Sequence, residues 1–162
     1  TIYHECKKLD GLSVAFFGAL DNGRTVRSLA YLLAKFDRIK LYFIAPEEIQ
    51  IGKDILEYLD EKGVSYQVTN DGTEAISRAD VLYQTRIDRE RLANANVDLT
   101  KYNMDADVLK RMKYDSIIMH PLPRSVEISS LVDADPRAAY FRQAQNGLYV
   151  RMALLSMVFD QD

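Results

Sequence analysis

Three short stretches of the chain carry residue types that could bind a charged small molecule. The stretch "DNGRTVRS" contains Arg24, "YQTRIDRER" contains Arg86, and "MHPLPRSVEI" contains Pro121 and Pro123. An arginine guanidinium can hold a carboxylate through two parallel hydrogen bonds. The two prolines fix φ and remove backbone N–H groups, so their loop presents carbonyl oxygens in a stiff frame. This combination suits a small ligand with more than one negative charge and with N–H groups, such as an amine or a carbamoyl NH2.

Each stretch also has an ordinary structural explanation. Arg24 and Arg86 could form salt bridges at the surface, where arginine is usually found. "HPLP" could be a turn that ends a buried strand, with His120 packed and hydrogen bonded nearby. His120 is a weak candidate for a general base because no nearby motif supplies a nucleophile or an orienting acid. The choice depends on whether the three stretches meet in space.

The elements that would position these residues alternate between strands and helices. Apolar, β-branched and aromatic runs predict strands at 13–17, 40–44, 65–69, 81–85 and 116–119, and helical patterns lie at 24–36, 53–63 and 105–113. The last helix follows "DADPRAA", with Pro136 suited to a first helical turn, and spans 138–159. Its apolar stripe is typical of a core face: Phe141, Ala144, Leu148, Met152, Leu155 and Phe159.

This alternation predicts an α/β fold, a doubly wound, mainly parallel five-stranded sheet with helices on both faces, of Rossmann-like type. Ligands of such sheets lie at the carboxyl ends of the strands, near the point where strand order reverses. With the order 3-2-1-4-5, the first, fourth and fifth strands are neighbours. Their loops, which hold Arg24, Arg86 and "HPLPR", would then converge at one edge.

Composition and motifs exclude several classes of function. The 162 residues carry a net charge of -3, so no basic surface for nucleic acid is expected. The longest apolar runs are far shorter than the roughly 20 residues that span a membrane. Neither the dinucleotide-binding nor the P-loop glycine motif occurs. His4 and His120 lie far apart beside a single cysteine, so no metal site and no cofactor are expected.

Taken together, "GRTVRSL", "YQTRIDRER", "MHPLPRSVEI" and "AYFRQAQNGLYVRMALL" resemble the aspartate-binding, C-terminal domain of the aspartate carbamoyltransferase family. The resemblance runs in order across nearly the whole chain. It implies transfer of a carbamoyl group from carbamoyl phosphate to the amino group of L-aspartate in pyrimidine biosynthesis. It also implies catalysis by positioning and electrostatics, without a covalent intermediate.

The resemblance implies a role for each motif residue. Arg24 would hold the α-carboxylate of aspartate and Arg86 its β-carboxylate. The carbonyl oxygens of Pro121 and Leu122 would accept hydrogen bonds from the carbamoyl NH2 and the attacking amine. The peptide before Pro123 would be cis, a geometry that proline permits at modest cost.

Other residues would support this site. Glu90 would orient Arg86, Arg124 and Glu127 would brace the proline loop, and His120 would support it. Asp88 stands where the family usually has Gln and would face the substrate aspartate. Ala19 and Val126 replace acidic residues usual in the family. We expect the three departures to affect substrate affinity more than the fold.

The family's carbamoyl-phosphate domain carries an S-T-R-T loop, and no such motif occurs in these 162 residues. We therefore expect the chain to be a single aspartate-binding domain, with residues 1–12 as the helix and lead-in that connect to the carbamoyl-phosphate domain. Alone it would be inactive, monomeric or weakly associated, with its final helix exposing apolar surface. The parent enzyme would be a cytoplasmic homotrimer.

Two alternatives stay open at this point. Ornithine carbamoyltransferase shares the fold but typically reads H-C-L-P-R and carries an S-M-G loop. Pro121 replaces that cysteine and no S-M-G occurs, which disfavours a diamino acid substrate. A noncatalytic module that binds an acidic metabolite is favoured by the missing phosphate loop and by Asp88. It is opposed by Arg24, Arg86 and the intact "HPLPR".

Overall fold

The computed structural model describes residues 1–87 and 98–159. Within these residues the chain forms one five-stranded sheet in which every paired strand is parallel. The strands are β1 Ser13–Phe17, β2 Lys40–Ile44, β3 Ser65–Thr69, β4 Val81–Gln84 and β5 Ile117–Met119. Their order is β3-β2-β1-β4-β5, which confirms the predicted topology.

Six α-helices connect or follow the strands in the described part of the chain. They are α1 Ile2–Cys6, α2 Arg24–Leu33, α3 Lys53–Glu61, α4 Thr73–Arg78, α5 Ala106–Arg111 and α6 Tyr140–Phe159. Short 3-10 turns lie at Glu47–Ile49, Leu99–Tyr102 and Ser130–Ala134. With helices on both faces, the molecule is an α/β doubly wound fold, as predicted.

Two apolar clusters fill the two sides of the sheet. Because side chains alternate along a strand, Val14 and Phe16 of β1 face one cluster, and Ala15 and Phe17 face the other. The first cluster includes residues of α1, α2 and α3, and the second includes residues of α4, α5 and the start of α6. Both faces of β1 are therefore buried, and the loop that follows β1 is anchored to a well-packed strand.

The start of α6 differs from the prediction. The helix begins at Tyr140, two residues later than expected, and Pro136 lies in a turn before it. Ala138 is engaged with β5 instead, since the N–H of Ile118 donates to the Arg137 carbonyl and Ile118 accepts from the N–H of Ala139. The assignment of Pro136 to the first helical turn was wrong because residues 137–139 pair with β5 before the helix begins.

The second half of α6 is largely exposed. Tyr140 is buried, but the apolar side chains from Leu148 to Phe159 are all more than half exposed, and Phe159 reaches 79%. The expectation that the stripe is a core face is wrong for the described residues. The expectation that the final helix exposes apolar surface is confirmed. Twenty residues of helix measure about 30 Å, longer than the three-residue β5 beside which it begins. Within the described residues, no helix is long and apolar enough to cross a membrane.

Candidate functional site

The loop between β1 and α2 presents Arg24. Gly18 follows β1 with φ of +119°, a conformation that side chains rarely adopt. Its N–H donates to the Ile44 carbonyl, and the N–H of Leu20 donates to Ile49. These bonds fix the loop against β2 before α2 begins. Arg24 is the first residue of α2 and its side chain is exposed.

The end of β4 is tied to the same loop through Thr85. Its backbone N–H donates to the Phe17 carbonyl at 2.9 Å, and its hydroxyl donates to the Ala19 carbonyl at 2.9 Å. The buried Gln84 amide donates to the carbonyls of Thr85 and Tyr102, both at 3.1 Å. The loops that carry Arg24 and Arg86 are therefore held together by backbone hydrogen bonds, one residue before Arg86.

The two arginines themselves remain available. Both side chains are exposed, and among the described residues neither forms an ion pair. Most other described arginines are paired with a carboxylate, as Arg27 is with Asp54. The alternative of surface salt bridging therefore has no support for Arg24 and Arg86 in the described part of the chain.

The proline loop after β5 is built on a buried histidine and glutamate. His120 and Glu127 are each 1% exposed. The Nδ1 atom of His120 accepts the Leu122 N–H at 2.9 Å. In a neutral imidazole with this contact, the proton is on Nε2. The Nε2 atom lies 3.0 Å from the Glu127 carboxylate. The same carboxylate oxygen accepts the Ser125 N–H at 2.9 Å. Burial opposes ionisation of Glu127, but the hydrogen bonds from His120 and Ser125 prevail and lower its pKa.

This frame fixes the backbone that carries the predicted acceptors. Leu122 has φ of +45°, and the peptide between Leu122 and Pro123 is cis, the geometry that the resemblance implies. Pro121 is exposed and Leu122 half-buried. Among the described residues no donor reaches the carbonyl oxygen of either residue. The loop therefore offers two unoccupied acceptors.

Arg124, predicted to brace the proline loop, contacts residues at and just before the start of α6. Its guanidinium pairs with Asp133 and lies 5.8 Å from the centre of the Tyr140 ring. The Tyr140 hydroxyl also donates to Asp133, and this bond is the main cause of the lowered pKa of the Asp133 carboxyl. Arg124 thus connects the proline loop to the start of α6, whereas Glu127 acts through His120.

The strand order brings these groups to one edge of the sheet. Arg24 follows β1, Arg86 follows β4, and Pro121 and Leu122 follow β5, and these three strands are adjacent. The edge combines two cations with two carbonyl acceptors, none of which has a partner among the described residues. It suits a small dianion that also carries N–H groups.

Comparison with known proteins identifies the family. Residues 10–158 match the family model described as aspartate/ornithine carbamoyltransferase, Asp/Orn binding domain. The chain belongs to the aspartate/ornithine carbamoyltransferase family. Among curated relatives, it is 55% identical to the chloroplastic aspartate carbamoyltransferase of Arabidopsis thaliana, covering 98% of this chain and 42% of the plant protein. It is 45% identical to the aspartate carbamoyltransferase catalytic subunit of Aliivibrio fischeri, covering 99% of this chain and 53% of the bacterial protein.

Solved structures of carbamoyltransferases show the same fold. The catalytic subunit of M. jannaschii aspartate transcarbamoylase superposes with a TM-score of 0.91 at 38% identity, covering 99% of this chain and 53% of that one. The Trypanosoma cruzi enzyme in complex with carbamoyl phosphate gives a TM-score of 0.88 at 41% identity, covering 95% and 51%. The chain thus spans about half the length of the carbamoyltransferases that it matches.

Two predicted site residues of this carbamoyltransferase domain, Asp88 and Glu90, lie outside the described residues, so their roles stay predictions. Of the departures from the family, Ala19 is half-buried and Val126 is exposed. No three His, Cys, Asp or Glu side chains in residues 1–87 and 98–159 are grouped as metal ligands would be.

Sequence reasoning missed several residues that build the site. Gly18 and Thr85 hold the β1 and β4 loops together, and Asp133 and Tyr140 receive Arg124. For Gly18 and Thr85, the sequence did offer a signal: a glycine and a threonine directly follow two strands that were predicted to be neighbours. Asp133 and Tyr140 are seven residues apart in sequence and gave no signal, since their link to Arg124 depends on the tertiary fold.

Proposed function

We propose that this chain is the aspartate-binding half of an aspartate carbamoyltransferase. The reaction transfers the carbamoyl group of carbamoyl phosphate to the α-amino group of L-aspartate. The amine nitrogen bonds to the carbamoyl carbon, the bond from that carbon to the phosphate oxygen breaks, and phosphate leaves with the electron pair while the amine loses a proton. The products are N-carbamoyl-L-aspartate and phosphate, in the synthesis of pyrimidines. The observation that carries the proposal is the meeting at one edge of two arginines and two carbonyl acceptors that have no partner among residues 1–87 and 98–159.

The proposed roles follow from charge and from hydrogen-bonding capacity. Arg24 holds the α-carboxylate and Arg86 the β-carboxylate, which orients the amine. The carbonyls of Pro121 and Leu122 accept from the carbamoyl NH2 and from the attacking amine. His120 acts on the loop and not on the reacting atoms, because its Nδ1 already accepts the Leu122 N–H.

The same edge disfavours a diamino acid. The side chain of ornithine ends in an ammonium group, which would be repelled by the guanidinium of Arg86. Pro121 also occupies the position of the cysteine in the H-C-L-P-R pattern. Aspartate, with a second carboxylate, complements both arginines.

A complete active site would require a second half. We propose that a carbamoyl-phosphate-binding domain belongs to the same enzyme, the parent protein, and that it covers the exposed apolar side of α6. A helix whose last turns expose many large apolar side chains is suited to burial against a partner. The parent protein is proposed to be a homotrimer in the cytoplasm, to be checked by light scattering and by cell fractionation.

The first experiment separates a split enzyme from a noncatalytic binding module. A bisubstrate analogue is titrated calorimetrically into the chain alone and into the chain mixed with the carbamoyl-phosphate-binding domain, and carbamoyl aspartate is measured in both. We expect tight binding and product only in the mixture. Binding without product in the mixture would support the noncatalytic module, and product from the chain alone would contradict the split site.

Arginine variants of the parent protein test the substrate. Removing the paired charge-assisted hydrogen bonds in Arg86→Gln should raise the KM for aspartate by roughly 100-fold or more. Arg78→Gln is the matched control, because Arg78 is exposed on α4 and pairs with Glu74. Equal KM values for the two variants would contradict the role of Arg86.

Asp88 is tested by restoring the residue usual in the family. We propose that its carboxylate weakens binding of aspartate through repulsion between like charges. Asp88→Gln in the parent protein should therefore lower the KM for aspartate. An unchanged KM would refute this explanation.

A further inference from the structure

One side chain of α6 is bonded to the end of a strand that carries part of the site. The Oε1 atom of Gln143 accepts the backbone N–H of His120 at 2.9 Å. His120 directly follows β5 and precedes Pro121. Because a backbone N–H can only donate, this contact also fixes which end of the Gln143 amide faces β5. The amide NH2 therefore points the other way.

Gln143 also lies beside β4. The buried Tyr83 of β4 lines the same groove as the side chains of Gln143 and Thr25. Burial raises the pKa of Tyr83, and the two polar neighbours only partly oppose this effect. The group is therefore a neutral hydroxyl. Tyr83 lies two residues before Thr85 and three before Arg86, and Thr25 directly follows Arg24.

These residues border a single groove. Its volume is about 820 Å³, and its wall includes Thr25, Tyr83, His120, Pro121, Leu122 and Gln143. The groove therefore opens beside the loops of β1, β4 and β5. Gln143 is half-buried in this wall and lies in the first turn of α6.

A glutamine is suited to this place because its amide oxygen can accept a backbone N–H. The His120 N–H needs an acceptor, since it is buried at the end of a strand. The prolines at 121 and 123 have no N–H of their own, so the Leu122 N–H and the His120 N–H are the bonds that hold the start of the loop. Without the Gln143 contact, the His120 ring would be the one side chain of the described residues that still bonds the backbone between His120 and Leu122.

We infer that Gln143 is a positioning residue that fixes the Pro121 and Leu122 carbonyls relative to Arg24 and Arg86. It does so by accepting the His120 N–H, in a groove wall that it shares with Tyr83 and Thr25. This inference rests on the proposed function, in which those carbonyls and arginines hold the two reacting molecules. A misplaced acceptor costs rate because the reacting atoms must be held in a narrow range of geometry.

The test uses the parent protein with both halves. Gln143→Met preserves size and removes the acceptor of the His120 N–H. Gln145→Met is the matched control, because Gln145 lies two residues away on the exposed side of the same helix and donates to Tyr149. Gln143→Glu is the conservative variant, since a carboxylate still accepts the His120 N–H. We measure kcat, the KM for aspartate, the KM for carbamoyl phosphate and the thermal midpoint of each.

Gln143→Met should lower kcat/KM for aspartate about 10-fold, the equivalent of one hydrogen bond, while the KM for carbamoyl phosphate stays within about twofold. Gln143→Glu should recover part of this loss, and Gln145→Met should match the wild type. Equal kinetic constants for Gln143→Met and Gln145→Met would overturn the inference, as would a Gln143→Met effect confined to the thermal midpoint.

Hydrogen exchange in the parent protein gives a readout that does not depend on activity. In Gln143→Met, amides of the segment 117–124 should exchange at least about 10-fold faster, and in Gln143→Glu they should stay protected. Unchanged exchange in Gln143→Met would overturn the inference even in an active enzyme. If the wild type forms no carbamoyl aspartate, the proposed function fails, while the exchange result still decides whether Gln143 holds the loop.

Discussion

Gly18→Ala is the substitution whose cost can be worked out most directly. At φ of +119°, a Cβ atom at this position would lie 2.7 Å from the Thr85 hydroxyl oxygen and 2.8 Å from the Thr85 carbonyl oxygen. Neither oxygen can move freely. The hydroxyl donates to Ala19, and the Thr85 backbone is bonded to Phe17.

Two costs add. Placing a non-glycine residue at positive φ costs about 1–2 kcal/mol, and forcing a methyl group into a packed site costs about 1–3 kcal/mol. We therefore expect Gly18→Ala to lower the free energy of unfolding by roughly 2–5 kcal/mol. Gly11→Ala is the matched control, since Gly11 has φ of +69° and nothing within 4 Å of its Cβ position. Its cost should be the strain alone, about 1–2 kcal/mol.

The assay is urea unfolding of the two variants and the wild type, with the denaturant dependence checked to be equal. In the parent protein, Gly18→Ala should also raise the KM for aspartate, because Gly18 and Thr85 join the loops that carry Arg24 and Arg86. Gly11→Ala should leave that KM unchanged. Equal destabilisation by both variants would show that the clash with Thr85 is relieved without cost, and the reasoning would be refuted.

Three further predictions concern the proline loop and α6. The pKa of Glu127 is lowered in the folded state, so the stability that its ionised form contributes is present above its unfolded pKa and is lost as the pH falls through its folded pKa. Glu127→Gln should therefore make the denaturation midpoint depend less on pH. The midpoints are to be measured between about pH 3 and pH 6. Tyr140→Phe should cost about 1–2 kcal/mol in urea unfolding, because the fully buried hydroxyl donates to the charged Asp133; no loss would show that this bond contributes nothing net. Leu155→Ser should change the free energy of unfolding by less than about 0.5 kcal/mol, since the Leu155 side chain is 59% exposed. The variant should also show less self-association in light scattering. A large loss of stability would mean that Leu155 is buried in a core.

The fold was predictable because its strands are short, apolar on both faces and separated by helical patterns. All five strands lie within one residue of their predicted bounds. The strand order followed from the general topology of doubly wound sheets, and this order alone brings the loops of β1, β4 and β5 together. Searching the ends of the strands then identified Arg24, Arg86 and the proline loop. Local pattern and topology were sufficient for that part of the site.

The residues that hold the loops were not predictable in the same way. Thr85, Gln143 and Tyr140 act through partners 7 to 66 positions away in sequence. Their types are common in cores and helices, so nothing in the local pattern distinguishes them. The helical spacing of apolar residues in α6 also predicted that they belong to a core. This spacing does not identify the residues that would pack against them. A helical pattern shows that one side is apolar, whereas burial depends on what packs against it.

The candidate site combines a rigid backbone with two arginines that form no ion pair in the described part of the chain, and this combination bears on the proposed second half. Leaving such arginines without an ion pair costs little while both are exposed to water. For the same reason each would hold a carboxylate only weakly in an open site, since water screens the attraction. A domain that covers the groove would exclude water and strengthen the contacts to the arginines and to the Pro121 and Leu122 carbonyls together. The hydrogen bonds of Thr85, His120 and Gln143 already fix the backbone, so closure would not also have to order the loops. The exposed apolar side of α6 then has a direct use, because its burial would supply free energy for that closure.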